Sequence, residues 1–105
     1  MRDLTELNKL EAYLRDHNYT YTREDQEREI RDDGVFRAER HSIVVFNERG
    51  KRAWDAICHF GSYGSEHGLL EVMGSAVVRA RDSVEGWLTA DEIIARLEET
   101  QEREA

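Results

Sequence analysis

A chain of 105 residues with a net charge of −8 and 36% charged side chains has room for one modest hydrophobic core. That charge excludes general binding to nucleic acid, whose phosphates reward Lys and Arg, and leaves open a basic partner or a DNA-mimicking surface. The lone Cys58 excludes an internal disulfide, and no run approaches the ~20 apolar residues of a membrane span.

The first residues, MRDLTELNKLEAYL, carry charges throughout and read neither as a signal peptide nor as an anchor, so a cytoplasmic location is expected. Residues 3–17 predict an amphipathic helix, because Leu4, Leu7, Leu10 and Leu14 recur on one face. Asp3 and Glu6 have the spacing of a capping box, and Asn18 suits the left-handed position after the last turn. Tyr19 to Thr22 alternates aromatic with β-branched residues, as a short strand does.

Residues 23–40 are densely charged and of mixed sign. A solvated helix, an edge hairpin or a loop all fit, and a mobile segment is expected there. Gly34 marks a turn, with Val35 and Phe36 expected to anchor the segment to the core. Ile43–Phe46 and Ala53–Phe60 flank the turn Asn47-Glu48-Arg49-Gly50 and form the clearest hairpin. On its second strand Trp54, Ala56, Cys58 and Phe60 share one face, and Asp55, Ile57 and His59 the other. A buried Asp55 would need a partner, Arg52 or His59.

Leu69–Met73 predicts a further strand, and Asp82–Gly86 a turn that returns Trp87 to the core. Thr89 with Glu92 forms a second capping box, and Leu88 with Ile93 a hydrophobic staple. Ile93, Ile94 and Leu97 are the buried stripe of a helix expected to fray beyond Glu98. The order α–β–β–β–β–α makes residues 1–105 a single α+β domain. Its small antiparallel sheet of about four strands is flanked by N- and C-terminal helices.

The richest chemistry lies in the loop between two buried strands. His59, Gly61, Ser62, Tyr63, Gly64, Ser65, His67 and Gly68 are the candidate ligand-binding residues. Their glycine spacing matches neither the dinucleotide fingerprint nor the P-loop. Backbone N–H groups, hydroxyls and an imidazole could still hold the phosphate or ribose of a small nucleotide. Net charge opposes this unless Arg37, Arg40, Arg49 or Arg52 gathers nearby. The plain alternative is a long hairpin connection whose glycines relieve backbone strain.

Cys58, His59 and His67, with Glu66 or His41, carry metal-binding atoms, but adjacent strand residues point to opposite faces. No metal and no cofactor is therefore expected, and Cys58 reads as a small buried hydrophobe. A nucleophile would be Cys58 or a serine beside His59 or His67, oriented by Asp55 or Glu66. No nucleophile motif surrounds them, which favours binding over catalysis. Trp54, Phe60, Tyr63 and Trp87 read as core first and as stacking surfaces second.

The strings WDAICHFGSYG, GLLEVMG and VEGWLTADEII resemble a group of small phage and prophage proteins of gut Firmicutes to which no activity is assigned. The resemblance covers nearly the whole chain, least well across 23–40, and implies context without catalytic residues. It implies an accessory, anti-defence protein, for which two expectations follow. The favoured one is sequestration of a nucleotide immune signal through the 61–68 loop, whose composition is more distinctive than the acidity. The other is an acidic inhibitor of a host defence or nucleic-acid-binding protein, of anti-CRISPR or DNA-mimic type. A homo-oligomer is also expected, with the C-terminal helix and Val77-Val78 as its face.

Overall fold

The computed structural model describes residues 2–79 and 83–104, the last three by backbone alone. Helix α1 spans Thr5–Asp16 and buries Leu7, Leu10 and Leu14. The chain leaves it through Asn18, whose φ of +59° is the left-handed turn expected after a helix end. Strand β1 (Tyr21–Gln26) then pairs antiparallel with β4 (Arg40–Phe46), setting Thr22 opposite Val44 and Asp25 opposite His41.

Between them β2 (Glu29–Ile30) and β3 (Phe36–Arg37) form a separate two-stranded arm. The charged segment 23–40 is thus the end of one sheet strand followed by an edge hairpin. Gly34 turns it as expected, its N–H donating to the Arg31 carbonyl at 2.9 Å. Val35 and Phe36 do not anchor it. They are 44% and 51% exposed, and no residue of the arm belongs to the core cluster.

Strand β5 (Arg52–Ile57) follows the Asn47–Gly50 turn, and β6 (Leu70–Met73) follows the glycine loop. The main sheet has the order β1-β4-β5-β6-β7 and is antiparallel throughout. Its fifth strand, β7 (Val84–Leu88), occupies most of the expected turn 82–86, of which Asp82 lies outside the described residues. Glu85 pairs with Val72 and Leu88 with Leu70, so ladder hydrogen bonds override a local sequence that favours a bend.

Alternation along the sheet explains the core. Ile43 and Val45, Trp54 and Ala56, and Leu70 and Val72 point to the face that both helices cover. Helix α2 (Ala90–Glu104) adds Ala90, Ile93 and Leu97, and Val77 fills the same cluster. Val77 is fully buried and so is unavailable to a dimer face. The helix runs past Glu98 to Glu104. There the Thr100 hydroxyl donates to the Arg96 carbonyl and the Gln101 amide to the Tyr19 hydroxyl.

The two helix starts are capped differently. Thr89 and Glu92 form the expected reciprocal box, Glu92 N–H to Thr89 Oγ1 at 3.2 Å and Thr89 N–H to Glu92 Oε1 at 3.1 Å. At α1, Asp3 accepts from Thr5 N–H at 2.9 Å, but Glu6 does not close a box. Its carboxylate accepts instead from Ala90 N–H, 2.8 Å away at the start of α2. Among the described residues, no helix is long and apolar enough to cross a membrane.

Candidate functional site: an aromatic platform on a braced loop

Strand β5 ends at Ile57, and Cys58 is the last inward residue, fully buried with its Sγ 3.9 Å from the Asp3 carbonyl. Burial pushes its thiol pKa up, as befits a packed hydrophobe rather than a nucleophile. From here the chain leaves the pleat. Phe60, expected on the core face with Trp54, Ala56 and Cys58, is turned out and 66% exposed, because alternation stops with the strand.

The loop spends its polar groups on itself. Ser62 Oγ accepts from His59 N–H and donates to the His59 carbonyl, both at 2.9 Å. The N–H groups of Ser62, Ser65, His67 and Gly68 donate to carbonyls within the loop, and Tyr63 N–H donates to Glu71 Oε1. Ser65–His67 is one turn of 3-10 helix, and the Ser65 hydroxyl is buried without a partner among the described residues. Gly64 takes φ +91°, and a Cβ there would stand 2.9 Å from Leu69 Cβ and 3.0 Å from Trp87 Cα. Glycine thus lets the loop close on β7. The same holds at Gly86, where an added Cβ would fall 2.2 Å from that of Tyr63.

This close approach carries aromatic rings to the surface. Tyr63 is 62% exposed and Trp87 57%, and Trp87 N–H donates to the Tyr63 carbonyl at 3.2 Å. The His67 and Trp87 rings lie 5.8 Å apart between centroids. Trp87 does not return to the core. Its backbone sits at φ +63°, a left-handed conformation that costs a bulky side chain roughly 1–2 kcal/mol. Of the four aromatics expected as core, only Trp54 is buried there.

His59 is half-buried behind the loop, its Nδ1 accepting the His41 backbone N–H at 2.8 Å. That bond places its proton on Nε2. Burial first, and then the charge of Arg40, hold its pKa below the usual 6.5. Arg49 belongs to the turn at the opposite end of β4 and β5 and Arg37 to the arm, whereas Arg40 acts on His59 and Arg2 reaches the Ser65 carbonyl. Asp55 is nearly buried and paired with Arg52, as one of its two expected partners requires.

A polar network that local pattern does not reveal lies at the root of the arm. His41 is buried, with Nδ1 2.8 Å from Asp25 Oδ1 and Nε2 2.6 Å from Glu39 Oε2. Arg2 pairs with Glu39 and donates to the Ser65 carbonyl, while Arg23 joins Asp25 to Glu11. The network ties the N-terminus, α1, β1, β4 and the loop together. A cavity of about 430 Å³, bordered by Arg2, Leu4, Glu27, Arg28, Glu39 and His41, lies between it and the arm. The Asp25–His41 pairing that builds it is long-range, so only the β1–β4 register brings it together. Among the described residues, no three His, Cys, Asp or Glu side chains converge to hold a metal ion.

No protein family matches this chain, and no curated protein or solved structure matches it either.

Proposed function

We propose that this chain is a binding protein that docks on a basic protein partner through Tyr63, Trp87 and Phe60. One observation carries this reading: exposed aromatic rings stand on and beside a loop in which the amides of Ser62, Tyr63, Ser65, His67 and Gly68 are already bonded. Large aromatic side chains held rigidly at a surface are the usual centres of protein interfaces, because they bury much area and lose little conformational freedom. The strained backbone of Trp87 supports the same reading, since such strain gathers where function needs a side chain outside its relaxed position.

Charge selects the partner class. A chain of −8 attracts basic surfaces, and the rings can also seat Arg or Lys cations. In the phage context that the resemblance implies, the partner would be a host defence or nucleic-acid-binding protein in the host cytoplasm. The chain would then act as an anti-defence inhibitor without catalysis. A nucleotide signal is the second reading, favoured by the faces the same rings offer to a base. It would have to hold its phosphates without the loop amides of Ser62, Tyr63, Ser65 and His67, which are already bonded.

The test is affinity for a captured basic partner, by calorimetry, with wild type, Tyr63→Ala and Trp87→Gly. Each substitution should weaken binding by at least about 2 kcal/mol, roughly thirtyfold. Glycine accepts φ +63° without strain, so Trp87→Gly should melt at or above the wild-type temperature. Binding should also weaken at high salt. Affinity untouched by both substitutions would reject the platform, and a saturable thermal shift with a cyclic dinucleotide would favour the second reading.

A further inference from the structure

We propose that the β2–β3 arm is a self-association element, and that a second copy of this chain covers it. Ile30 and Phe36 are direct cross-strand partners, 66% and 51% exposed, with the half-exposed Val35 beside them. Each strand has two residues, and a hairpin of that size is marginal in water when nothing covers its apolar side. The rest of the chain does not cover it, since the core cluster contains no residue of the arm.

The charges around this apolar centre identify the occupant. Residues 27–37 hold three arginines (Arg28, Arg31, Arg37) and four carboxylates (Glu27, Glu29, Asp32, Asp33), a net charge of −1 in a chain of −8. None of the seven takes part in an ion pair among the described residues, although the body pairs its charges repeatedly. Arg28 lies over the Phe36 ring at 5.4 Å, and Glu29 to Asp33 border a concavity of about 460 Å³. A strongly basic partner would meet the arginines, and a strongly acidic one the carboxylates and the field of the body. A two-fold copy meets both signs with both signs. Phe36 of one protomer then packs on Ile30 of its partner, with arginines facing carboxylates around the rim.

Sedimentation velocity on the full chain, from low micromolar to about 100 μM, reads the outcome. Wild type should show a reversible dimer, and Phe36→Asp should weaken it at least about tenfold. Circular dichroism and melting temperature should hold for that variant, because the arm lies outside the core. A second pair of variants removes any doubt about folding. The triple change Arg28→Glu, Arg31→Glu, Arg37→Glu and the triple change Glu29→Lys, Asp32→Lys, Asp33→Lys should each abolish self-association, and mixing them should restore a dimer. A wild type that stays monomeric throughout overturns the proposal. So does a dimer indifferent to Phe36→Asp and to both triple changes. Trp87→Gly should leave self-association unchanged, so failure of this reading and failure of the aromatic platform are separate results.

Discussion

His59 accepts the His41 amide proton through Nδ1, so a proton added to that nitrogen would break the bond. With its folded pKa below 6.5, the unfolded chain takes up this proton at higher pH than the folded one. Stability should therefore fall as pH drops below about 6.5 and level off below the folded value. Asp25 acts further down the scale. Burial raises its pKa, but hydrogen bonds from His41 and Arg23 outweigh this and hold it below 3.8. Its contribution is present above 3.8 and is lost as pH falls through the lower folded value. Urea unfolding at about pH 7.5 and about pH 5 separates the two, since that window lies well above the range of Asp25. In His59→Asn the side-chain oxygen can still accept the amide, and the loss of stability between the two pH values should shrink. An unchanged loss would assign the acid sensitivity to another group. At this scale the sequence was legible for Cys58, Asn18 and Asp55, whose roles follow from neighbours close in the chain. It misled for Phe60, because strand alternation was carried past Ile57, where the strand stops.

The two helices are joined at their starts. Glu6 of α1 accepts from Ala90 N–H of α2, so one helix supplies the cap of the other, beside the cap that Thr89 and Glu92 make locally. Glu6→Ala and Thr89→Ala should each cost about 1 kcal/mol in denaturant unfolding. Because both serve one helix end, the double variant should depart from additivity. Lys9→Ala, which removes only the exposed pair with Asp91, should stay within about 0.5 kcal/mol and serves as the control. The Thr89 box was legible because all its parts lie within four residues. The partner of Glu6 was not, since it comes from the other end of the chain. Strand β7 escaped for a related reason: Gly86 and a left-handed Trp87 carry the local signature of a turn, and only pairing with β6 makes them a strand. Val35 and Phe36 read as anchors because apolar residues usually are buried, and nothing local marks their hairpin as exposed.

Among the described residues the molecule has one core cluster, to which both helices, three central strands and Leu88 of β7 contribute. Unfolding should be a single cooperative event. Trp54 reports on the core and Trp87 on the surface, so fluorescence of Trp87→Gly follows Trp54 alone. Its urea transition should coincide with that of circular dichroism, and two separated transitions would mean that sheet and helices part company before the core opens. The α+β class and the helix–sheet–helix order were legible because hydrophobic periodicity reports burial on one face. The aromatic platform was legible only as a glycine-rich loop. Which groups face outward depends on how the loop closes on β7, a contact between residues more than twenty positions apart.

The left-handed residue in β7 has one more effect. β1 and β7 are the outermost strands, and an unguarded rim of backbone donors and acceptors invites another chain to add a strand and start a fibre. Trp87 turns its amide inward to Tyr63, which interrupts the regular row on one rim. On the other, Arg23, Glu24 and Asp25 set consecutive charges along β1. The residue at the centre of the proposed recognition surface thus also helps keep the sheet from growing, beside aromatic rings whose exposure would itself favour association.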